Sequence, residues 1–314
     1  MESFADKLAV VTGGGAGMGR ELVIQLAAEG ASIATCDVHA DDLEETAKLA
    51  REASPSSDNK ISTHICDVAD ETQMMMFRDE VTDQHDTDYI NLLFNNAGVG
   101  GGGSFVAGDR PSWDRTFGIV WGGVYNGARA FVPLLVASDD GYLINTSSVN
   151  GFYAHIGVGN PHTAYSAAKF AVKGFSEALL EDFRVNAPHV KVAVVMPGHI
   201  GTDIVKNSRL VLGEGMGGTT AAEIRAAMEN RGFDHSEMSD EDVLNISKMM
   251  EEGFKTMAPT TAAQAATIIL DGVRAGKWRI LVGDDAVKLD EAVRSDPEGV
   301  YAPGYTAFNL LQQQ

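Results

Sequence analysis

Short apolar runs alternate along this chain with stretches of helical apolar spacing, and that alternation restricts the fold more than any other feature. Residues 8–11 are apolar and lead into a glycine-rich turn; residues 21–28 then repeat apolar side chains at helical spacing and stop at Gly30. Residues 32–36 read as a second strand, 41–52 as a helix, and 61–65 as a third strand after a loop of Pro, Ser, Asp and Asn. Further strands are expected at 90–94, 141–145, 191–195 and 279–282, with helices near 113–136 and 164–184. Strands separated by helices imply right-handed crossovers and a parallel sheet covered on both faces. The expectation is one α/β domain over 1–314: a doubly wound sheet of about seven strands with helices on both sides.

The rhythm breaks over 203–258, which is too long for a plain connection and holds two expected helices, 221–230 and 241–253. Met216, Met228, Met238, Met249, Met250 and Met257 fall here, half of the chain's 12 methionines. Their soft side chains suit either ordinary packing or an adaptable lid over an apolar substrate. Residues 294–314, with Pro297, Gly299, Pro303 and Gly304, read as an irregular C-terminal arm that either docks on its own subunit or crosses to a neighbour.

Charge narrows the partners. The formal charge of −20 repels phosphate backbones and anionic lipid, so neither nucleic acid nor membrane is an expected partner. No run approaches the ~18 consecutive apolar residues of a membrane span, and the N-terminus has no basic, cleavable leader pattern. Cys36 and Cys66 read as buried free thiols in a reducing, cytoplasmic setting. No His, Cys, Asp or Glu cluster has metal-ligand spacing, so metal-free chemistry is expected.

The turn after the first strand runs Thr12-Gly13-Gly14-Gly15-Ala16-Gly17-Met18-Gly19. Glycines there permit positive φ and close approach of the backbone to a pyrophosphate, whose charge the following helix N-terminus favours. Asp37 ends the second strand, where a dinucleotide fold places the acid that binds the adenosine ribose hydroxyls. Its carboxylate repels a 2′-phosphate, and Val38, His39 and the turn offer no cation to offset it. NAD is therefore expected rather than NADP.

Tyr165 and Lys169 stand four residues apart on an expected helix and so share a face. A phenol with pKa near ~10 is a poor base at neutrality, and a neighbouring cation favours its phenolate. Upstream, Asn145-Thr146-Ser147-Ser148 ends the fifth strand at the carboxyl edge, where ligands bind in such sheets. Only one of the two adjacent hydroxyls is expected to meet a substrate.

With these pieces assembled, the chain resembles a short-chain dehydrogenase/reductase of the ordinary, non-extended branch. The matching residues are Thr12 to Gly19, Asp67-Val68, Asn95-Asn96-Ala97-Gly98, Ser147-Ser148, Tyr165 with Lys169, and Pro197-Gly198 with Thr202. The resemblance implies that Ser148 holds the substrate oxygen, Tyr165 exchanges its proton, and Lys169 binds the nicotinamide ribose. It places Gly13, Ala16, Gly17, Met18 and Gly19 at the pyrophosphate, and Asp67 and Val68 at the adenine. Asn96, Ala97 and Gly98 follow on the adenosine side, and Pro197, Gly198, Ile200 and Thr202 at the nicotinamide end. It also implies a homodimer or homotetramer, with Ala167, Ala168, Phe170, Ala171, Phe175, Ala178 and Leu179 offering apolar surface.

Two departures stand out. Val120 occupies the position, seven residues after Trp113, where the family usually has a catalytic Asn. Its side chain has no amide; only its backbone carbonyl could hold a water leading from Lys169 to solvent, given a local distortion of the helix. The segment between Ser148 and Tyr165 is also distinctive, containing Phe152, Tyr153, His155, Asn160, Pro161 and His162, and is expected to border the substrate. The expected function is NAD-dependent hydride transfer to or from a bulky, partly apolar secondary alcohol or ketone. A cofactor-binding regulatory protein with little turnover, or epimerase or dehydratase chemistry, stand as alternatives on the same fold.

Overall fold

In the computed structural model the described residues are 1–101, 103–155, 161–212, 221–230, 234–236, 238–302 and 305; Asn160, Met216, Pro303 and Gly304, named above, lie outside them. The strands are β1 (Leu8–Thr12), β2 (Ser32–Asp37), β3 (Ile61–Ile65), β4 (Leu92–Asn95), β5 (Tyr142–Thr146), β6 (Lys191–Pro197), β7 (Ile200–Gly201), β8 (Thr260–Thr261) and β9 (Arg279–Val282). Seven form one parallel sheet in the order β3-β2-β1-β4-β5-β6-β9, and β7 pairs with β8 apart from it. The chain runs outward from β1 to β3, then returns to lay β4 on the other side of β1. A crevice opens at the carboxyl ends of β1 and β4, where the order reverses.

The helices are α1 (Gly17–Ala28), α2 (Ala40–Ala53), α3 (Glu71–His85), α4 (Arg110–Phe117), α5 (Gly123–Val136), α6 (Thr163–Asn186), α7 (Ile204–Leu212), α8 (Ala221–Asn230), α9 (Asp240–Thr256), α10 (Ala262–Arg274) and α11 (Asp284–Ser295). Side-chain alternation along the strands feeds two cores. Ala9, Val11, Leu92, Phe94, Ala193 and Val195 pack under Leu22 and Leu26 of α1 and Ile269 and Val273 of α10. Leu8, Val10, Leu93, Leu143 and Val192 meet Phe77 of α3, Phe131 of α5 and Phe183 of α6 on the opposite face.

All seven expected strands of the sheet are present. Four helices were not read from the sequence: α3, α7, α10 and α11. Two of them carry legible starts: Asp70 accepts from the Thr72 and Gln73 amides before α3, and Thr261 with Gln264 forms a capping box before α10. The helix expected over 113–136 is interrupted by a π-helical turn, Gly118–Gly122, in which the Gly123 N–H reaches the Gly118 carbonyl. Taken as one unit, Arg110–Val136 is the described helix long and apolar enough to cross a membrane by length and composition, although 56% of the relevant stretch is buried in the fold. Among the described residues of the arm, α11 ends at Ser295 and a 3-10 turn, Gly299–Tyr301, docks on its own chain, with the Tyr153 hydroxyl donating to the Val300 carbonyl at 2.9 Å.

Candidate active site

The glycine turn spends its first amides on β2, Gly13 and Gly14 donating to the Cys36 carbonyl at 2.8 and 3.1 Å, and so sets the open start of α1 over the crevice. Gly13 and Gly17 have φ of +68° and +53°, the left-handed region that favours glycine. A Cβ at Gly19 would stand 2.0 Å from the Gly13 carbonyl oxygen, so α1 can start against the turn only without a side chain there. Ala16 gives α1 no side-chain cap and no acid occupies its first turn, which leaves the N-terminal amides and dipole for an external anion. Thr12 joins the two halves of the crevice: its hydroxyl accepts from the Asn96 and Ala97 amides at 3.0 and 3.1 Å. The Asn96 side chain donates to the Thr12 carbonyl at 3.2 Å, while its own oxygen is buried without a partner in the protein. This positive cradle fits a pyrophosphate-bearing dinucleotide.

Gly13, Ala16, Gly17 and Met18 line one cleft together with Asp37, Asp67, Val68, Asn96, Ala97, Gly98 and Thr202. Asp37 accepts from the Gly15 amide at 3.0 Å and the Val38 amide at 2.7 Å, which fixes its carboxylate at the cleft edge. Asp42 lines the same end, a second carboxylate that the sequence reading missed. Arg20, also missed, is the nearby cation; its guanidinium is held by the Gly15 carbonyl at 2.5 Å, the Thr46 hydroxyl at 3.0 Å and Asp42 at 3.5 Å. Asp67 is clamped by Arg115 of α4 at 2.7 Å. Val120 is fully buried in the core, and its neighbour Ile119 forms the cleft wall instead.

The other end of the site gathers around α6. The Ser147 hydroxyl donates to the Lys169 carbonyl at 2.8 Å and is thereby committed to the backbone, leaving Ser148 beside the Tyr165 phenol. Burial raises the Tyr165 pKa, and the hydrogen bond with Ser148 works in the opposite direction. The Lys169 ammonium donates to the Thr146 carbonyl at 2.8 Å and lies 5.5 Å from the centre of the Tyr165 ring; burial lowers its pKa to about 7. A Cβ at Gly98 would stand 3.8 Å from that ammonium, so Lys169 reaches the end of β4.

Pro197 ends β6, and the Gly198 amide donates to the Val282 carbonyl at 3.0 Å. A Cβ at Gly198 would collide with the Asp285 carboxylate, which also accepts from the His199 amide at 2.6 Å. Ile200 is buried and paired with Thr260, and Thr202 packs against Gly17 across the cleft. The following helix α7 forms a wall of the cleft through Ile204, Asn207 and Val211. The Gly100 amide ties it down by donating to the Ser208 hydroxyl at 2.7 Å, and ion pairs Asp203–Lys255 and Arg209–Glu251 brace it against α9. Of the loop histidines, the His162 ring lies 5.2 Å from that of Tyr165, and His155 Nδ1 lies 3.1 Å from the Tyr153 hydroxyl.

The short chain dehydrogenase family pattern matches residues 7–211. The chain is 32% identical over 98% of its length, and 98% of the other's, to SadH of Mycobacterium tuberculosis, which is named as an oxidoreductase. It is also 32% identical to levodione reductase of Leifsonia aquatica, over 65% of this chain and 73% of that one. A solved short-chain dehydrogenase/reductase from Burkholderia phymatum in complex with NAD superposes with a TM-score of 0.74 at 24% identity, covering 96% of this chain and 98% of the other. Structures carrying NADP match as well.

Proposed function

The chain belongs to the short-chain dehydrogenase family of oxidoreductases, and on that premise we propose that it transfers hydride between NAD and a bulky, partly apolar secondary alcohol or ketone. The observation that supports this reading is the meeting of Ser148, Tyr165 and Lys169, with the Lys169 ammonium close to Gly98 in the lining of a cleft that also holds the Asp37 and Asp42 carboxylates. When bound, the nicotinamide ring supplies the hydride acceptor or donor. In oxidation, Tyr165 takes the alcohol proton as its phenolate, Ser148 holds the substrate oxygen by a hydrogen bond, and Lys169 favours the phenolate by its charge. Pro197, Gly198, Ile200 and Thr202 shape the nicotinamide end; Asp67 and Val68 flank the adenine.

NAD is favoured because Asp37 and Asp42 face the ribose end while Arg20 is engaged by its own neighbours. Losing a hydrogen bond to a carboxylate costs about 1.5–3 kcal/mol. Asp37→Ser should therefore shift the kcat/KM preference from NAD toward NADP by on the order of tenfold to a hundredfold. Steady-state kinetics with both cofactors checks this; an unchanged ratio rejects the assignment.

Val120 favours a second reading, a protein that binds NAD with little turnover, since this buried apolar side chain cannot relay a proton. Wild-type turnover across aliphatic, aromatic, terpenoid and steroid alcohols decides between the two. Residues 203–258 then act as a substrate lid, with α7 as its inner face. The buried free cysteines fit a reducing, cytoplasmic setting.

The chain also works as a homodimer or homotetramer on this reading. Of the side chains expected at such an interface, Ala168 and Leu179 are taken up by the core, but Phe170 is 44% exposed, and Tyr125 of α5 is 42% exposed beside Trp121, whose ring also meets Phe175. Phe170→Asp would bury a charge at that contact and should yield monomers at micromolar concentration by light scattering. A wild-type monomer under the same conditions removes the proposal.

A further inference from the structure

A second cluster of reactive side chains lies outside the cleft, between the edge strand β3 and the C-terminal half of α3. Ser62 and His64 are two residues apart on β3 and so share a face, which meets Glu80 and His85 of α3. Glu80 Oε2 stands 2.6 Å from His64 Nδ1, His64 Nε2 stands 3.0 Å from Ser62 Oγ, and His85 Nε2 stands 2.9 Å from the same oxygen.

Proton accounting gives the chain of bonds one direction. A carboxylate only accepts, so Nδ1 of His64 carries the proton and donates it to Glu80. In the neutral ring, Nε2 then holds a lone pair and accepts from the Ser62 hydroxyl. His85 is kept neutral, its pKa lowered to about 4 chiefly by burial and next by the charge of Lys60, and donates from Nε2 to Ser62 Oγ. The His64 ring is held in place, buried and 4.8 Å from the ring of Phe77. A carboxylate orients the imidazole, and the imidazole is aimed at a hydroxyl: the arrangement that activates a serine.

Ser62 also opens onto a cavity, lined among others by Arg51, Lys60, Asn59 and Ser54. In a chain of formal charge −20, Arg51 and Lys60 have no carboxylate at ion-pair distance among the described residues. Arg51 donates to the Ile61 carbonyl at 3.2 Å and Lys60 to the Gln84 carbonyl at 3.3 Å. Both therefore line the cavity held by backbone carbonyls rather than by a carboxylate.

We propose that Ser62 is the nucleophile of a second, acyl-transferring site that takes carboxylic esters bearing an anionic group. Ser62 Oγ bonds to the ester carbonyl carbon as its proton passes to His64 Nε2, and Glu80 stabilises the resulting imidazolium. Lys60 and Arg51 offset the negative charge on the carbonyl oxygen and hold the substrate's anionic group. The carbon–oxygen bond to the alcohol then breaks, the alcohol leaves with the proton from His64, and water hydrolyses the acyl-Ser62 ester by the same route in reverse.

The test is incubation of the full chain with 4-nitrophenyl hemisuccinate, with 4-nitrophenyl acetate as the uncharged control. Release of nitrophenolate should begin with a burst, mass mapping should find succinyl on Ser62, and the anionic ester should react faster. Ser62→Ala should abolish both burst and adduct while leaving NAD binding unchanged. Glu80→Gln, at a half-exposed side chain that folding tolerates, should slow acylation by about tenfold or more. An unmodified Ser62, acylation confined to Lys60 and other lysines, or acylation of Glu80→Gln at the wild-type rate would each overturn the proposal.

Discussion

Tyr165→Phe should lower kcat for alcohol oxidation by roughly 10²–10⁴-fold, the range contributed by a positioned general acid or base. The change removes one oxygen from a ring that keeps its packing beside His162 and Lys169. NAD affinity should accordingly stay within a few-fold of wild type, so the loss appears in the chemical step and not in binding. Stopped-flow hydride transfer and equilibrium NAD titration, run on both proteins, check the two halves separately. A variant turning over at the wild-type rate would place the proton exchange elsewhere. The expectation is sharpened by the surroundings: burial alone pushes the phenol toward its neutral form and Lys169 toward its uncharged form, with a pKa of about 7. On the proposed reading the positive charge of an oxidised nicotinamide beside the pair would push the phenol back toward its phenolate, so cofactor should bind before the proton moves.

Gly19→Ala should damage fold and binding together. The added methyl would stand 2.0 Å from the Gly13 carbonyl oxygen and 2.7 Å from the Asn96 amide nitrogen, and the first of these is backbone that cannot rotate away. Overpacking of this kind costs about 1–3 kcal/mol, and at a backbone contact the upper end applies. Relief requires α1 to retreat from the turn, which moves the same amides that would hold the pyrophosphate. Denaturant unfolding should show the lost stability, and calorimetric NAD titration a fall in affinity of about tenfold or more, each tenfold being ~1.4 kcal/mol. An Ala variant as stable and as tightly binding as wild type would mean that the turn yields more freely than its contacts indicate.

What was legible in the sequence follows from the range of the forces involved. The strands were readable because each is a short apolar run buried on both faces, a property of consecutive residues. Thr12 to Gly19, Asp37, Ser148, Tyr165 and Lys169 were readable because their chemistry is local to a strand end or a helix turn. Arg20 and Asp42 were not, since their placement at the ribose end depends on how α1 and α2 pack together. Asp285 under Gly198 and Ser208 under Gly100 join residues 87 and 108 positions apart along the chain, and no pattern of neighbours encodes such contacts. The helix α3 is hard to read because its buried Met74, Phe77 and Val81 make a thin stripe between exposed polar residues, and only its Asp70 cap marks its start.

The π-helical turn at Gly118–Gly122 carries a geometrical consequence for the rest of the chain. Each residue of an α-helix advances the angular phase by about 100°, so one residue too many or too few there would turn α5 against α4 by that amount. Ile119 could then face the cleft only if Val124, Phe131 and Leu135 swung away from the sheet. The turn acts as a vernier between a segment that touches the cofactor cleft and a segment that shows Tyr125 to solvent. Cleft shape and the exposed aromatic face are locked to one angular setting, and neither can be altered by insertion or deletion in this helix without resetting the other.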